Sequence, residues 1–101
     1  MSNYAWIIDR DYAPDGSPGT YLNATGLTGP RNASQTALAA LADGLGVRFR
    51  MLDDDGGLTY AGRFVGDHES EDGFGPLDDF GTPNAGCTSI EYWLNGQWEQ
   101  L

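Results

Sequence analysis

The sequence predicts a single small α+β domain, in which one short helix packs on a face of an antiparallel or mixed sheet of about five strands. The chain has 101 residues, which is enough for one hydrophobic core but not for two. Several short segments show strand-like patterning, and one stretch has the spacing of an amphipathic helix. The predicted order is β-α-β-β-β-β, within one domain that spans residues 1–101.

The first strand is predicted at residues 4–10, which are rich in aromatic and β-branched side chains. Gly, Pro, Asn, Ser and Thr dominate the stretch from Ala13 to Pro30, which is typical of a loop. A helix of about ten residues follows, with Asn32 or Ser34 as its N-cap and Gly44 or Gly46 at its end. Its apolar face comprises Leu38, Leu41, Ala42 and Leu45. A helix this short is expected to lie on the sheet, because it would not persist alone.

Two hairpins complete the predicted sheet. In the strand at 47–52, an apolar face alternates with a face that carries Arg48 and Arg50, which we expect to pair with acids such as Glu91 or Glu99. After an Asp-rich turn, the second strand of this hairpin is predicted at 58–65. Leu58, Tyr60 and Phe64 are expected on its core-facing side. The second hairpin runs from Thr88 to Leu101 around an Asn-Gly turn, with Ile90, Tyr92 and Leu94 on one face.

A long acidic segment at about 66–87 lies between the hairpins and shows no helical or strand period. Loops of this length in compact domains are typically functional or disordered. Phe74, Leu77 and Phe80 favour an ordered, packed loop over a floppy one.

The charge is concentrated in the middle of the chain. The formal net charge is −10, from fifteen acids and five arginines, and there is no lysine. Nine of the acids and one arginine lie between residues 53 and 79. Such clustering indicates either a solvated acidic surface or one that faces a basic partner, and we favour the partner because clustering serves electrostatic steering. The predicted partner-binding residues are Asp53, Asp54, Asp55, Asp67, Glu69, Glu71, Asp72, Asp78 and Asp79.

This composition excludes several classes of function. A chain so acidic does not bind nucleic acid or an anionic membrane through a basic face. One cysteine makes no internal disulfide, and the N-terminal apolar run is too short for a signal peptide or a membrane span. The expected location is therefore the cytoplasm of the host cell, with no direct nucleic-acid binding and no membrane.

No enzyme, cofactor or metal site is predicted. Cys87 and His68 are the only residues of their types and lack a catalytic signature around them, so Cys87 is expected to be a buried small apolar residue. The EF-hand pattern fails, because its fifth position after a start at Asp53 is Gly57. A loose calcium or magnesium site at Asp53–Asp55 is the remaining alternative.

Two longer stretches carry a resemblance to known proteins: Met51-Leu52-Asp53-Asp54-Asp55-Gly56, and the run Gly-Pro-Leu-Asp-Asp-Phe-Gly-Thr-Pro-Asn-Ala-Gly-Cys at 75–87. With Tyr4-Ala5-Trp6-Ile7-Ile8 and Thr28-Gly29-Pro30-Arg31, they resemble small acidic proteins of phages and mobile elements of high-GC Gram-positive bacteria. In general character the chain is similar to phage anti-defence proteins, including anti-CRISPR proteins and nucleic-acid mimics.

The hypothesis that follows is a non-enzymatic inhibitor whose partner is a basic nucleic-acid-binding protein or nucleoprotein complex of host defence. The alternatives are an immunity or antitoxin-type inhibitor of a toxic basic enzyme, and an accessory protein-interaction module without inhibitory activity. An exposed tryptophan beside the acids would be a suitable anchor for such a partner.

Overall fold

The protein is an α+β domain built on a six-stranded antiparallel sheet, seen in a computed structural model that describes residues 3–12 and 24–101. The strand order is β2-β1-β4-β3-β5-β6, and every neighbouring pair is antiparallel. The elements are β1 (Ala5–Asp11), β2 (Thr28–Gly29), α1 (Gln35–Ala42), β3 (Val47–Leu52), β4 (Leu58–Val65), a bent helix over 71–85, β5 (Ser89–Leu94) and β6 (Gln97–Gln100).

The predicted fold class is confirmed, with one strand more than the sequence indicated. Of the loop predicted from Ala13 to Pro30, residues 13–23 lie outside the described part of the chain. The remainder contains β2, which pairs with β1 through Gly29 opposite Trp6. A strand of two residues has no alternating pattern to detect, and Gly29 is required because a Cβ there would meet the Trp6 ring at 2.3 Å.

Helix α1 begins after Ser34, one of the two predicted caps, whose Oγ accepts a hydrogen bond from the Ala37 backbone N–H at 3.1 Å. Ala37 and Leu41 are buried against the β1–β4 end of the sheet. The prediction that Ala42 and Leu45 belong to the apolar face is wrong, because the helix ends at Ala42, which is exposed, and Leu45 beyond it is 58% exposed. Gly44, with φ +85, turns the chain away before that position.

The central hairpin follows the prediction except at Leu58. A bulge between Met51 and Leu52 pairs Leu52 with Leu58, so Leu58 lies on the face opposite to Tyr60 and is 41% exposed. A two-residue period cannot anticipate such a bulge. In the second hairpin, Asn95 and Gly96 both have positive φ, as the two-residue turn requires.

The predicted acidic loop is helical over much of its length, which corrects the interpretation of 66–87 as a loop. Its segments are a 3₁₀ turn (Glu71–Phe74), a π-helical turn (Leu77–Gly81) and a short α-helix, α2 (Thr82–Ala85). Because the hydrogen-bonding pattern changes along these segments, the apolar residues have no single period. The expected packing is confirmed for Leu77 and Phe80, which are buried in the main core, whereas Phe74 is 39% exposed.

The bent helix covers one face of the sheet and α1 covers one end of the other face. The main core lies under the bent helix and includes Trp6, Phe49, Tyr60, Phe64 and Tyr92. The rest of the opposite face, along β3, β4 and β6, has no helix over it among the described residues. No helix in the described ranges is long and apolar enough to cross a membrane.

Candidate binding surfaces

The nine predicted partner-binding acids form two groups in space. Asp53, Asp54 and Asp55 lie at the tip of the β3–β4 hairpin, before β4 begins. The others follow the far end of β4, which is eight residues and thus roughly 25 Å long. We call the first group the hairpin tip. The second group, the acidic end, comprises Asp67, Glu69, Glu71, Asp72, Asp78 and Asp79.

At the hairpin tip, one of the three carboxylates is used by the turn itself. Asp53 Oδ1 accepts hydrogen bonds from the backbone N–H groups of Asp55 at 3.0 Å and Gly57 at 2.7 Å. This is the local bonding by which an aspartate shapes a turn. Asp54 and Asp55 have exposed side chains. The tip therefore offers two carboxylates to a partner rather than three.

The acidic end is organised around Asp79. Its Oδ2 accepts hydrogen bonds from the Tyr4 hydroxyl at 2.8 Å and from Trp6 Nε1 at 3.0 Å, which ties the bent helix to the start of β1. Burial raises the pKa of Tyr4 well above its ordinary value of 10.0, and the hydrogen bond to Asp79 raises that pKa further. Asp72 and Asp78 also act on the Tyr4 phenol by their charge. All three acids are therefore close enough to Tyr4 for their charges to act on it.

The connection into the bent helix is also ordered by its own polar groups. Asp67 Oδ1 accepts from the Glu69 backbone N–H at 3.0 Å, and Ser70 Oγ accepts from that of Asp72 at 3.2 Å. Glu69, Glu71 and Asp78 are exposed. Phe74, on the 3₁₀ turn that begins at Glu71, is the exposed aromatic of this surface.

None of the nine acids is neutralised by a cation in the part of the chain that the structure describes. The two ion pairs there are Arg50–Glu91, at 2.6 Å, and Arg63–Asp9, at 2.9 Å. The expected pairing of Arg50 with Glu91 is thereby confirmed. Both pairs lie on the sheet face away from the bent helix, so they leave the charge of the acidic end uncompensated.

That open sheet face carries a second candidate surface, which sequence reasoning missed. Arg10, Arg48 and Arg50 line a recess of about 230 Å³. Its other lining residues are Asp9, Tyr12, Phe49, Leu58, Ala61, Gly62 and Trp98. We call it the arginine recess. The sequence does show that Arg48 and Arg50, two residues apart in a strand, share one face. Arg10 joins them only because β1 pairs with β4, which the sequence does not reveal.

The exposed tryptophan of the protein belongs to this face and not to the acids. Trp93, which is 40% exposed, packs edge-on against Trp98 with ring centroids 5.2 Å apart. The Arg50 guanidinium lies 4.4 Å from the Trp98 ring centroid and that of Arg48 lies 5.9 Å from it. The exposed tryptophan therefore does not lie beside the nine acids, where Phe74 is the exposed aromatic residue.

Cys87 and His68, the residues considered for catalysis, both have packing contacts. Cys87 is buried in the main core as expected, and burial raises the pKa of its thiol. The His68 ring packs on Tyr92 with centroids 5.5 Å apart. Among residues 3–12 and 24–101, no three His, Cys, Asp or Glu side chains come together in a way that could hold a metal ion.

Comparison with known proteins adds no relative: no family model, curated protein or solved structure matches this chain.

Proposed function

We propose that the protein is a non-enzymatic inhibitor that binds a cationic nucleic-acid-binding surface of a host defence protein or nucleoprotein through its acidic end. The observation that carries the proposal is a set of carboxylates on an ordered segment that form no ion pair within the described part of the chain. Crowding like charges destabilises a compact domain, and solubility alone would be served by charges spread over the surface.

Order in the acidic end favours a binding surface over a solvated tail. Asp79 is fixed by Tyr4, just before β1, and by Trp6 in β1, and Ser70 fixes the start of the 3₁₀ turn. A surface held in place in this way loses little conformational entropy on binding, which favours affinity. Its acids can meet arginines and lysines that otherwise contact phosphates, so the protein and a nucleic acid would compete for the same cations.

Phe74 gives this surface an apolar anchor. It is 39% exposed and lies between Asp72 and Asp78 in the chain. Leu101, also 39% exposed, is adjacent, because its Cδ1 lies within 3 Å of the Cβ position at Gly73. Interfaces commonly combine a few large apolar side chains with surrounding charges that set specificity.

Capture from a bacterial lysate followed by competition with duplex DNA tests the proposal. The immobilised protein is expected to retain basic nucleic-acid-binding proteins and to release them when DNA is added. A neutral polymer at the same mass concentration is the control and should release nothing. Retention of neutral or acidic proteins only, or complexes that DNA does not displace, would contradict competition for a phosphate-binding site.

A further inference from the structure

Two arginines of the arginine recess have no carboxylate partner among the residues that the structure describes. Asp9, the acid that lines the recess, is held by Arg63 through two hydrogen bonds of 2.9 and 3.2 Å. Glu91, the acid beside it, is held by Arg50. Within the described ranges, Arg10 and Arg48 form no ion pair. A chain with fifteen acids and five arginines thus leaves two arginines unneutralised in one concavity.

The sheet register explains how the recess is formed. Arg10 and Arg50 are both paired with Ala61, so they stand on the same face with that small residue between them. Two strand spacings separate their backbones by about 10 Å. Arg48 is two residues before Arg50 and shares its face. The short side chain of Ala61 therefore leaves a gap lined by three arginines, of which Arg50 is already paired with Glu91.

The walls of the gap are apolar and partly flat. Trp98, Tyr12 and Leu58 line it together with the arginines. Tyr12 is 46% and Leu58 41% exposed, so both keep apolar surface that a bound molecule would cover. Aromatic and guanidinium planes both stack on planar rings. The lining thus combines a cationic centre with surfaces that suit a flat, uncharged group.

The charge of the whole protein restricts the size of an anionic ligand. A net charge of −10 repels an acidic protein or a long nucleic acid as it approaches. Inside the recess, however, charges more than about 8 Å away are largely screened at physiological salt, and the arginines are closer than that. A small anion is therefore attracted by the local field, while an extended polyanion is opposed by the field of the whole molecule.

We propose that the arginine recess binds a small phosphate ester carried on a planar ring, with nucleoside monophosphates as the ligand class. Arginine forks match the geometry of phosphate oxygens, and Arg10 and Arg48, which form no ion pair among the described residues, both line the gap. The planar ring lies against Tyr12, since the Arg50 guanidinium already lies over the Trp98 ring. This site is separate from the acidic end, because the bent helix packs on the opposite face of the sheet.

Titration calorimetry with adenosine monophosphate, inorganic phosphate and adenosine tests the site. Adenosine monophosphate is expected to bind more tightly than either fragment. Arg10→Ala and Arg48→Ala should each weaken it about tenfold, the range for losing one charge-assisted contact. Arg31→Ala is the matched control, because it removes the same charge from a different cleft, lined by Trp6 and Asp79, and should leave binding unchanged. The circular dichroism spectrum of each variant confirms folding.

Several outcomes would overturn the proposal. Absence of binding at millimolar adenosine monophosphate would do so, as would an equal loss in Arg31→Ala, which would indicate a net-charge effect. Phosphate binding as tightly as the nucleotide would contradict recognition of the ring. Tighter binding of a single-stranded tetranucleotide or of an oligoglutamate peptide would assign the recess to a nucleic acid or an acidic protein segment instead.

Discussion

Asp79 and Asp78 are neighbours in the sequence with different environments. Both residues are exposed, but Asp79 also accepts hydrogen bonds from the Tyr4 hydroxyl and the Trp6 indole N–H. Hydrogen bonds to a charged acceptor contribute more than neutral ones, and the partly buried indole N–H would lose its acceptor if Asp79 were removed. One of the two acids is therefore structural, and the other is available to a partner.

Asp79→Ala is expected to lower the free energy of unfolding by about 1–3 kcal/mol, and Asp78→Ala by no more than about 0.5 kcal/mol. Urea denaturation followed by tryptophan fluorescence measures both. Equal effects of the two substitutions would show that the contact with Tyr4 and Trp6 does not stabilise the fold.

The raised pKa of Tyr4 leads us to expect a lower free energy of unfolding at alkaline pH. Its folded-state pKa is raised above the ordinary value of 10.0 by burial and by Asp79, and burial raises that of Tyr92 as well. The unfolded chain therefore releases protons that the folded chain keeps. The stabilisation is complete below pH 10 and declines as the pH rises above it.

Unfolding free energies measured between about pH 8 and about pH 11 check this slope. Tyr4→Phe removes one titrating group, so its stability is expected to fall less steeply with pH than that of the wild type. Parallel curves for the two proteins would contradict the assignment of the slope to Tyr4.

At the scale of elements, the bent helix was the hardest part of the fold to predict. Strands β3 and β5 were predictable because buried residues alternate with less buried ones. The buried residues are Phe49 and Met51 in β3, and Ile90 and Tyr92 in β5. The bent helix has no such period, since its turns change from 3₁₀ to π to α. The fold class can be predicted from the strands. The bent helix that carries acids of the acidic end is fixed by tertiary contacts, which the sequence pattern does not show.

Gly73 makes one of the tertiary contacts that fix the bent helix. A Cβ at this position would approach the His68 backbone carbonyl oxygen to 2.3 Å, and the Gly73 carbonyl accepts a hydrogen bond from the Tyr92 hydroxyl at 2.8 Å. Gly73→Ala is expected to lower the free energy of unfolding by about 1–3 kcal/mol, because backbone must move. Glu71→Ala, on the exposed side of the same turn, should change it by less than about 0.5 kcal/mol. A Gly73→Ala protein as stable as the wild type would refute this packing.

Over the whole molecule, four of the five arginines are separated from the acidic end, whereas Arg31 lines a cleft together with Asp79. Arg10, Arg48, Arg50 and Arg63 belong to the sheet face that the bent helix does not cover, while the acidic end lies beyond the far end of β4 and on the bent helix. The sequence showed the charge concentration but not its division, since the acids from 53 to 79 are interrupted by β4. The hairpin tip and the acidic end lie at opposite ends of β4, so its length keeps the two groups of acids apart.

This division permits a direct test of the central claim that the acidic end binds a cationic partner. Glu71→Gln/Asp78→Asn and Asp54→Asn/Asp55→Asn remove the same charge, from the acidic end and from the hairpin tip. The measurement is the affinity of both variants for the partner captured in the DNA-competition experiment, over a range of salt concentrations.

We expect the acidic-end variant to bind at least about tenfold more weakly at low salt and the hairpin-tip variant to bind nearly as well as the wild type, with the difference shrinking as salt screens the charges. Equal losses in the two variants would mean that only net charge matters, and wild-type affinity in the acidic-end variant would contradict the account.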